Sequence, residues 1–71
     1  MNSEIRYRFK SAQLANRFLN RLKNWHIADV KAKLSHGGLA VKINYQFDGM
    51  GFDYTVAELD DLAAQLEGEE F

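Results

Sequence analysis

Residues 5–10 read IRYRFK, with Ile5, Tyr7 and Phe9 alternating with Arg6, Arg8 and Lys10. Successive side chains leave a strand on opposite faces, so strict period-two alternation of branched or aromatic residues with charges marks a half-buried strand. The fold turns on which set points inward. Rings displayed beside cations would make a stacking platform for nucleic-acid bases. Rings turned inward would make an ordinary core strand with a charged outer face. Burying a Phe or a branched aliphatic side chain is worth about 1.5–3 kcal/mol, and the rest of the chain supplies apolar stripes to bury them against. The rings are therefore expected inside and the bases outside.

The strand is read over 4–10. Ser11 follows as a helix N-cap, its hydroxyl able to satisfy a free amide of the first turn. Leu14, Ala15, Phe18, Leu19 and Leu22 then recur three and four residues apart, the stripe of an amphipathic helix. That helix is expected to end near Asn24, with Lys23 in its last turn where the dipole favours a cation. Val30, Ala32 and Leu34 alternate with Lys31 and Lys33, and Leu39, Val41, Ile43, Tyr45 and Phe47 form the clearest alternating run. With Gly37 and Gly38 as hairpin turn residues, Leu34 faces Val41, Ala32 faces Ile43 and Val30 faces Tyr45, so apolar residues meet on one face. The DGMGF stretch, 48–52, is a loop by its glycines, and residues 52–55 are read as its extension rather than as a short strand. Thr55-Val56-Ala57-Glu58 matches a capping box. It opens a second helix with Leu59, Leu62, Ala63 and Leu66 on one stripe, Asp60 and Asp61 near its N-terminal dipole, and Gly68 as its stop.

The order strand, helix, strand, strand, helix predicts an α+β fold, a β-α-β-β-α two-layer sandwich. Its sheet is three-stranded and mostly antiparallel, in the order 1-3-2, with both helices on one face, because a right-handed crossover places the first helix there. This layout resembles the ferredoxin-like arrangement without its last strand. One domain is expected over 1–68, with a mobile acidic tail over 69–71. The sheet face opposite the helices is left uncovered.

The RNA-recognition fold displays rings and bases on one sheet face, whereas here they fall on opposite faces, and no basic-glycine-aromatic signature occurs. GMGFDYTVAELDDLAAQL, 49–66, is loosely similar to the glycine turn and closing helix of double-stranded-RNA-binding domains. With a strand at 52–55 the element order of that family would follow as well. Where that family holds phosphates with lysines, however, this chain has Glu58, Asp60 and Asp61.

With 71 residues, a single core is only just sufficient for independent folding, so self-association or a partner would help. The chain has no cysteine, which removes disulfides and thiolate metal sites. No apolar run approaches a membrane span, and the charged start MNSEIRYRFK argues for a cytoplasmic address. His26 and His36 belong to no ligand motif. Ser35-His36 lacks the oriented base and oxyanion site of a triad. Asp60 and Asp61 are adjacent and splay apart on a helix, and Asp48 to Asp53 is too short for a calcium loop. Neither catalysis, a metal nor a cofactor is expected.

Charge is the most informative feature. Residues 1–47 hold all nine Lys and Arg and two acids, a net +7, while the chain from residue 48 holds eight acids and no base, a net −8. Arg6, Arg8, Lys10, Lys31, Lys33 and Lys42 are expected on the uncovered sheet face, and Glu58, Asp60, Asp61 and Glu67 on the second helix and its end. The expected function is a non-catalytic protein-interaction or regulatory module whose basic face engages an acidic protein surface, which could be that of another copy. The alternative is sequence-nonspecific nucleic-acid binding through the same face. Lysines on an open sheet also keep it soluble and unpaired, and the sequence leaves these readings side by side.

Overall fold

The computed structural model describes residues 2–26, 28–47, 49 and 51–71. The elements are β1 (Asn2–Arg8), α1 (Ala12–Lys23), β2 (Val30–Ser35), β3 (Ala40–Gln46), α2 (Tyr54–Gln65) and β4 (Glu69–Glu70), with a single 3-10 turn at His36–Gly38. The four strands form one sheet in the order β2-β3-β1-β4, and every neighbouring pair is antiparallel.

The α+β expectation stands, but the three-stranded sheet does not. The sequence reading makes residues 69–71 a mobile tail outside the domain. Instead, Glu69 pairs with Arg8 and Glu70 with Tyr7, and the Phe71 amide donates to the Arg6 carbonyl at 3.1 Å. β1 is thereby paired on both sides and becomes an interior strand.

Ile5, Tyr7, Phe9, Val41, Ile43 and Tyr45 are buried on one sheet face, and Ala15, Phe18 and Leu22 of α1 with Leu59, Ala63 and Leu66 from α2 complete the core over it. The rings of IRYRFK thus face inward: Tyr7 meets Phe18 edge-on at 5.5 Å between centroids, and Phe9 lies 5.0 Å from the same ring. Trp25 packs against this core from the end of α1, as do the half-buried Val30 and Ala32. Leu34 and Leu39, expected inside, are instead exposed, because they lie at the hairpin end of the sheet outside the main core.

The hairpin register is the one read from the sequence, Val30 opposite Tyr45, Ala32 opposite Ile43 and Leu34 opposite Val41. The connection is rounder than a two-residue turn. His36, Gly37 and Gly38 take φ of 52°, 70° and 88° in succession, a left-handed run that two glycines make inexpensive.

α1 begins as expected, with Ser11 Oγ accepting from the Leu14 amide at 3.2 Å. α2 does not. Its cap is Asp53, whose Oδ1 accepts from the Val56 amide at 3.0 Å, so Thr55 lies within the first turn and Asp60 and Asp61 lie mid-helix. No strand forms at 52–55, which removes the element order of the double-stranded-RNA-binding family. The reading of 48–52 rests partly on Asp48 and Met50, which lie outside the described residues. Among the described residues, no helix is long and apolar enough to cross a membrane.

The end of α2 departs from a simple glycine stop. The Gly68 amide donates to the Ala63 carbonyl at 2.8 Å and the Glu67 amide to Ala64 at 3.1 Å, the two bonds of a Schellman motif. Its left-handed position is held by Glu67, with φ of 61°. Gly68 is needed for another reason: a Cβ there would stand 2.4 Å from Phe9 Cε1.

Candidate interaction surface

Alternation along β1, β2 and β3 carries a second set of side chains to the face away from the helices. The register lines them up across the strands. Lys33, Lys42 and Arg6 make one cross-sheet row, which Phe71 continues on the far side of β1. Lys31, Asn44 and Glu4 make another, and Ser35, Ala40, Arg8 and Glu69 a third. Arg6, Arg8, Lys31, Lys33 and Lys42 are thus brought together with two carboxylates among them. Lys10 is not: it lies past the end of β1, in the bend before α1, where its Nζ is 3.4 Å from Glu67 Oε2.

Like charges directly opposite each other on adjacent strands repel, and Lys42 has a cation on each side. Two neighbours relieve part of this. Glu4 Oε1 comes to 3.7 Å from Lys42 Nζ, and the Phe71 ring lies under both arginines, 4.8 Å from Arg6 Cζ and 5.3 Å from Arg8 Cζ, within range of a cation–π attraction. The His36 ring closes edge-on against Phe71 at 5.0 Å, so Phe71 spans from β4 across β1 to the hairpin turn. Ala40, which alternation assigns to this face, is completely buried yet belongs to no part of the helix-side core. Among the described residues, Lys31 and Lys33 have no ion-pair partner.

Sequence reasoning missed Phe71, because a single aromatic after Glu69-Glu70 carries no periodicity. Its parity with Arg6 becomes legible only once the residue pairs with β1.

The acidic residues lie elsewhere. Glu58, Asp60 and Asp61 are exposed on α2, across the sheet from the cations. Asp60 accepts a hydrogen bond from the Tyr7 hydroxyl, and Asp61 one from Gln65 Nε2 at 3.4 Å. Tyr45 makes a matching bond, its hydroxyl donating to Asp53 Oδ2 at 2.7 Å. Burial, and secondarily the bond to Asp60, raises the Tyr7 phenol well above its ordinary value. Burial and the bond to Asp53 push Tyr45 up to about 12. Both phenols are held as neutral donors, so two of the acids serve to anchor α2 over the sheet.

Among the described residues, two hollows adjoin β2. An open cleft of about 720 Å³ at the end of the sheet is lined by Asn2, Asp29, Val30, Lys31, Asn44, Tyr45 and Gln46. A groove of about 220 Å³ runs between α1 and β2, lined by Leu19, Leu22, Lys23, Val30 and Ala32. Ser35 Oγ and His36 Nδ1 are 3.0 Å apart in the hairpin turn. Among the described residues, no three histidine, aspartate or glutamate side chains gather as a metal site. Compared with protein-family models, with curated proteins and with solved structures, the chain matches none of them.

Proposed function

We propose that the chain is a non-catalytic interaction module whose basic sheet face engages an acidic protein surface. The observation that carries this reading is the gathering of five cations on the face away from the helices, where the chain's own Glu69 and Phe71 are laid against Arg8 and Arg6. An acidic and aromatic segment seated on two of the arginines is a small instance of the complementarity proposed for the partner. The strand order supports a ferredoxin-like reading of the scaffold, including the closing strand that the sequence concealed.

A second reading, nucleic-acid binding, has one observation in its favour. Phe71 puts a ring, 37% exposed, on the same face as Arg6, Arg8 and the lysines, which is the juxtaposition a stacking surface needs. Against it stand the acids of α2, Glu4 and Glu69.

Amide-shift titration of the labelled protein separates the two. A polyglutamate probe is expected to move residues 6–8, 31–33 and 42–46, with an effect that fades as salt rises, and the Arg6→Glu plus Arg8→Glu variant is expected to weaken it. Shifts with a mixed oligonucleotide pool and none with polyglutamate would favour the second reading. No response to either would remove the basic face from consideration.

A further inference from the structure

The two edges of the sheet are finished differently. At one edge, β4 covers β1 with Glu69 opposite Arg8 and Phe71 continuing to Arg6. At the other edge, β2 is the last strand of the sheet, and a strand with a neighbour on one side only presents a row of unpaired backbone N–H and C=O groups. β2 also has two faces with unmet needs. Lys31 and Lys33 point outward, exposed and without ion-pair partners among the described residues, and Lys33 stands opposite Lys42. On the helix side, Val30 and Ala32 are only half-buried and line the groove against Leu19 and Leu22 of α1.

We infer that the β2 edge is a docking site for an extended segment of another protein, added as a fifth strand and alternating acidic with apolar residues. Its acids lie beside Lys31 and Lys33 on the outer face, and its apolar side chains enter the groove between α1 and β2. Main-chain hydrogen bonds supply the attraction and alternate side chains the selectivity, as in other cases of strand addition. Charge decides the occupant. A second copy pairing β2 with β2 would set Lys31 and Lys33 against their own counterparts, an arrangement cross-strand repulsion disfavours. The chain's treatment of its other edge, a short acidic strand laid on a basic one, is the same solution in miniature. This inference rests on the proposed acidic partner and adds where and in what conformation that partner binds.

The test uses the labelled full chain and a six-residue peptide alternating Glu and Val, matched in length to the six residues of β2. Two further versions are N-methylated, one at every Val and one at every Glu. Amides of alternate residues point to the same side of a strand, so strand addition needs one methylatable set and leaves the other facing away. The unmethylated peptide is expected to shift residues 30–35, one methylated version to bind at least about tenfold more weakly, and the other to bind as well as the parent. A Lys31→Glu plus Lys33→Glu variant is expected to lose the interaction.

Equal binding of both methylated peptides would overturn strand addition while leaving the acidic-partner reading intact. So would binding of polyglutamate but not of the alternating peptide. Failure of both probes would instead remove the acidic-partner reading itself. Shifts at 30–35 on concentrating the chain alone would overturn the assigned occupant, because a second copy would then cover the edge.

Discussion

Neighbouring residues at the end of α2 should respond to substitution with opposite signs. In Gly68→Ala the added Cβ would lie 2.4 Å from Phe9 Cε1 and 2.9 Å from Cδ1 and Cζ, against a comfortable carbon–carbon separation of about 3.5–4.0 Å. Phe9 cannot step aside easily, since it is 3% exposed and packed 5.0 Å from the Phe18 ring. Overpacking of this kind costs about 1–3 kcal/mol, a large share of the roughly 4–10 kcal/mol available to a domain of this size. Each kcal/mol corresponds to about 4–8 °C in Tm. Glu67→Gly should do the reverse. It relieves a left-handed φ of 61° at a non-glycine residue, giving up to about 1 kcal/mol less the small contribution of the exposed pair with Lys10. Thermal and urea unfolding followed by circular dichroism would measure both. In a Phe9→Leu background the Gly68→Ala penalty should fall by more than half. A neutral Gly68→Ala, or a penalty unchanged in that background, would refute the close-approach account of Gly68.

Other outcomes follow from the anchoring of α2 and the surface around Phe71. Asp53→Ala removes both the cap on Val56 and the acceptor for Tyr45, and urea unfolding should show a loss of about 2–3 kcal/mol, more than a cap alone accounts for. Tyr7→Phe keeps the buried ring but loses the bond to Asp60, with an expected cost of about 1–2 kcal/mol because the exposed carboxylate can turn to water. Tyr45 ionises only near 12 in the fold, against an ordinary value of 10.0, so below pH 10 the phenol is neutral in both states and its contribution is fully present. As pH rises from about 10 through about 12 the unfolded chain loses the proton first, and stability should fall over that window, less so in Tyr45→Phe. Phe71→Ala should release Arg6 and Arg8, costing about 1 kcal/mol and increasing amide exchange at residues 69 and 70.

Much of the fold could be read from alternation because both hairpin strands and β1 are long enough to show a period. Leu34 opposite Val41 and Lys33 opposite Lys42 follow directly from the apolar run and the two glycines. Periodicity tells which face a side chain takes, though not whether anything covers that face, so it puts Leu34 and Leu39 inside although they lie beyond the core. The closing strand was hidden for a different reason. Two glutamates have low strand propensity and no period, and they pair only because the Schellman end of α2 delivers them to β1. Asp60 reads as a dipole partner and Asp53 as part of a loop, whereas each accepts a hydroxyl from the sheet, Asp60 from the sequence-distant Tyr7 and Asp53 from Tyr45 across the loop. The basic face could be read as a set of residues but not as rows, since Phe71 and Glu4 enter it only through register.

The interior position of β1 has a consequence for the order in which the molecule is assembled. β2 and β3 are joined by a short turn, and their pairing can close early at little loop-entropy cost. β1 pairs with β3 between Arg8 and Ala40 at the nearest and between Asn2 and Gln46 at the farthest, and β4 reaches it from residues 69 and 70. The first strand in the sequence is therefore expected to be completed late, after the hairpin exists to receive it. Substitutions at Leu34 or Val41 should slow folding, whereas those at Glu69 or Phe71 should leave the folding rate nearly unchanged and speed unfolding.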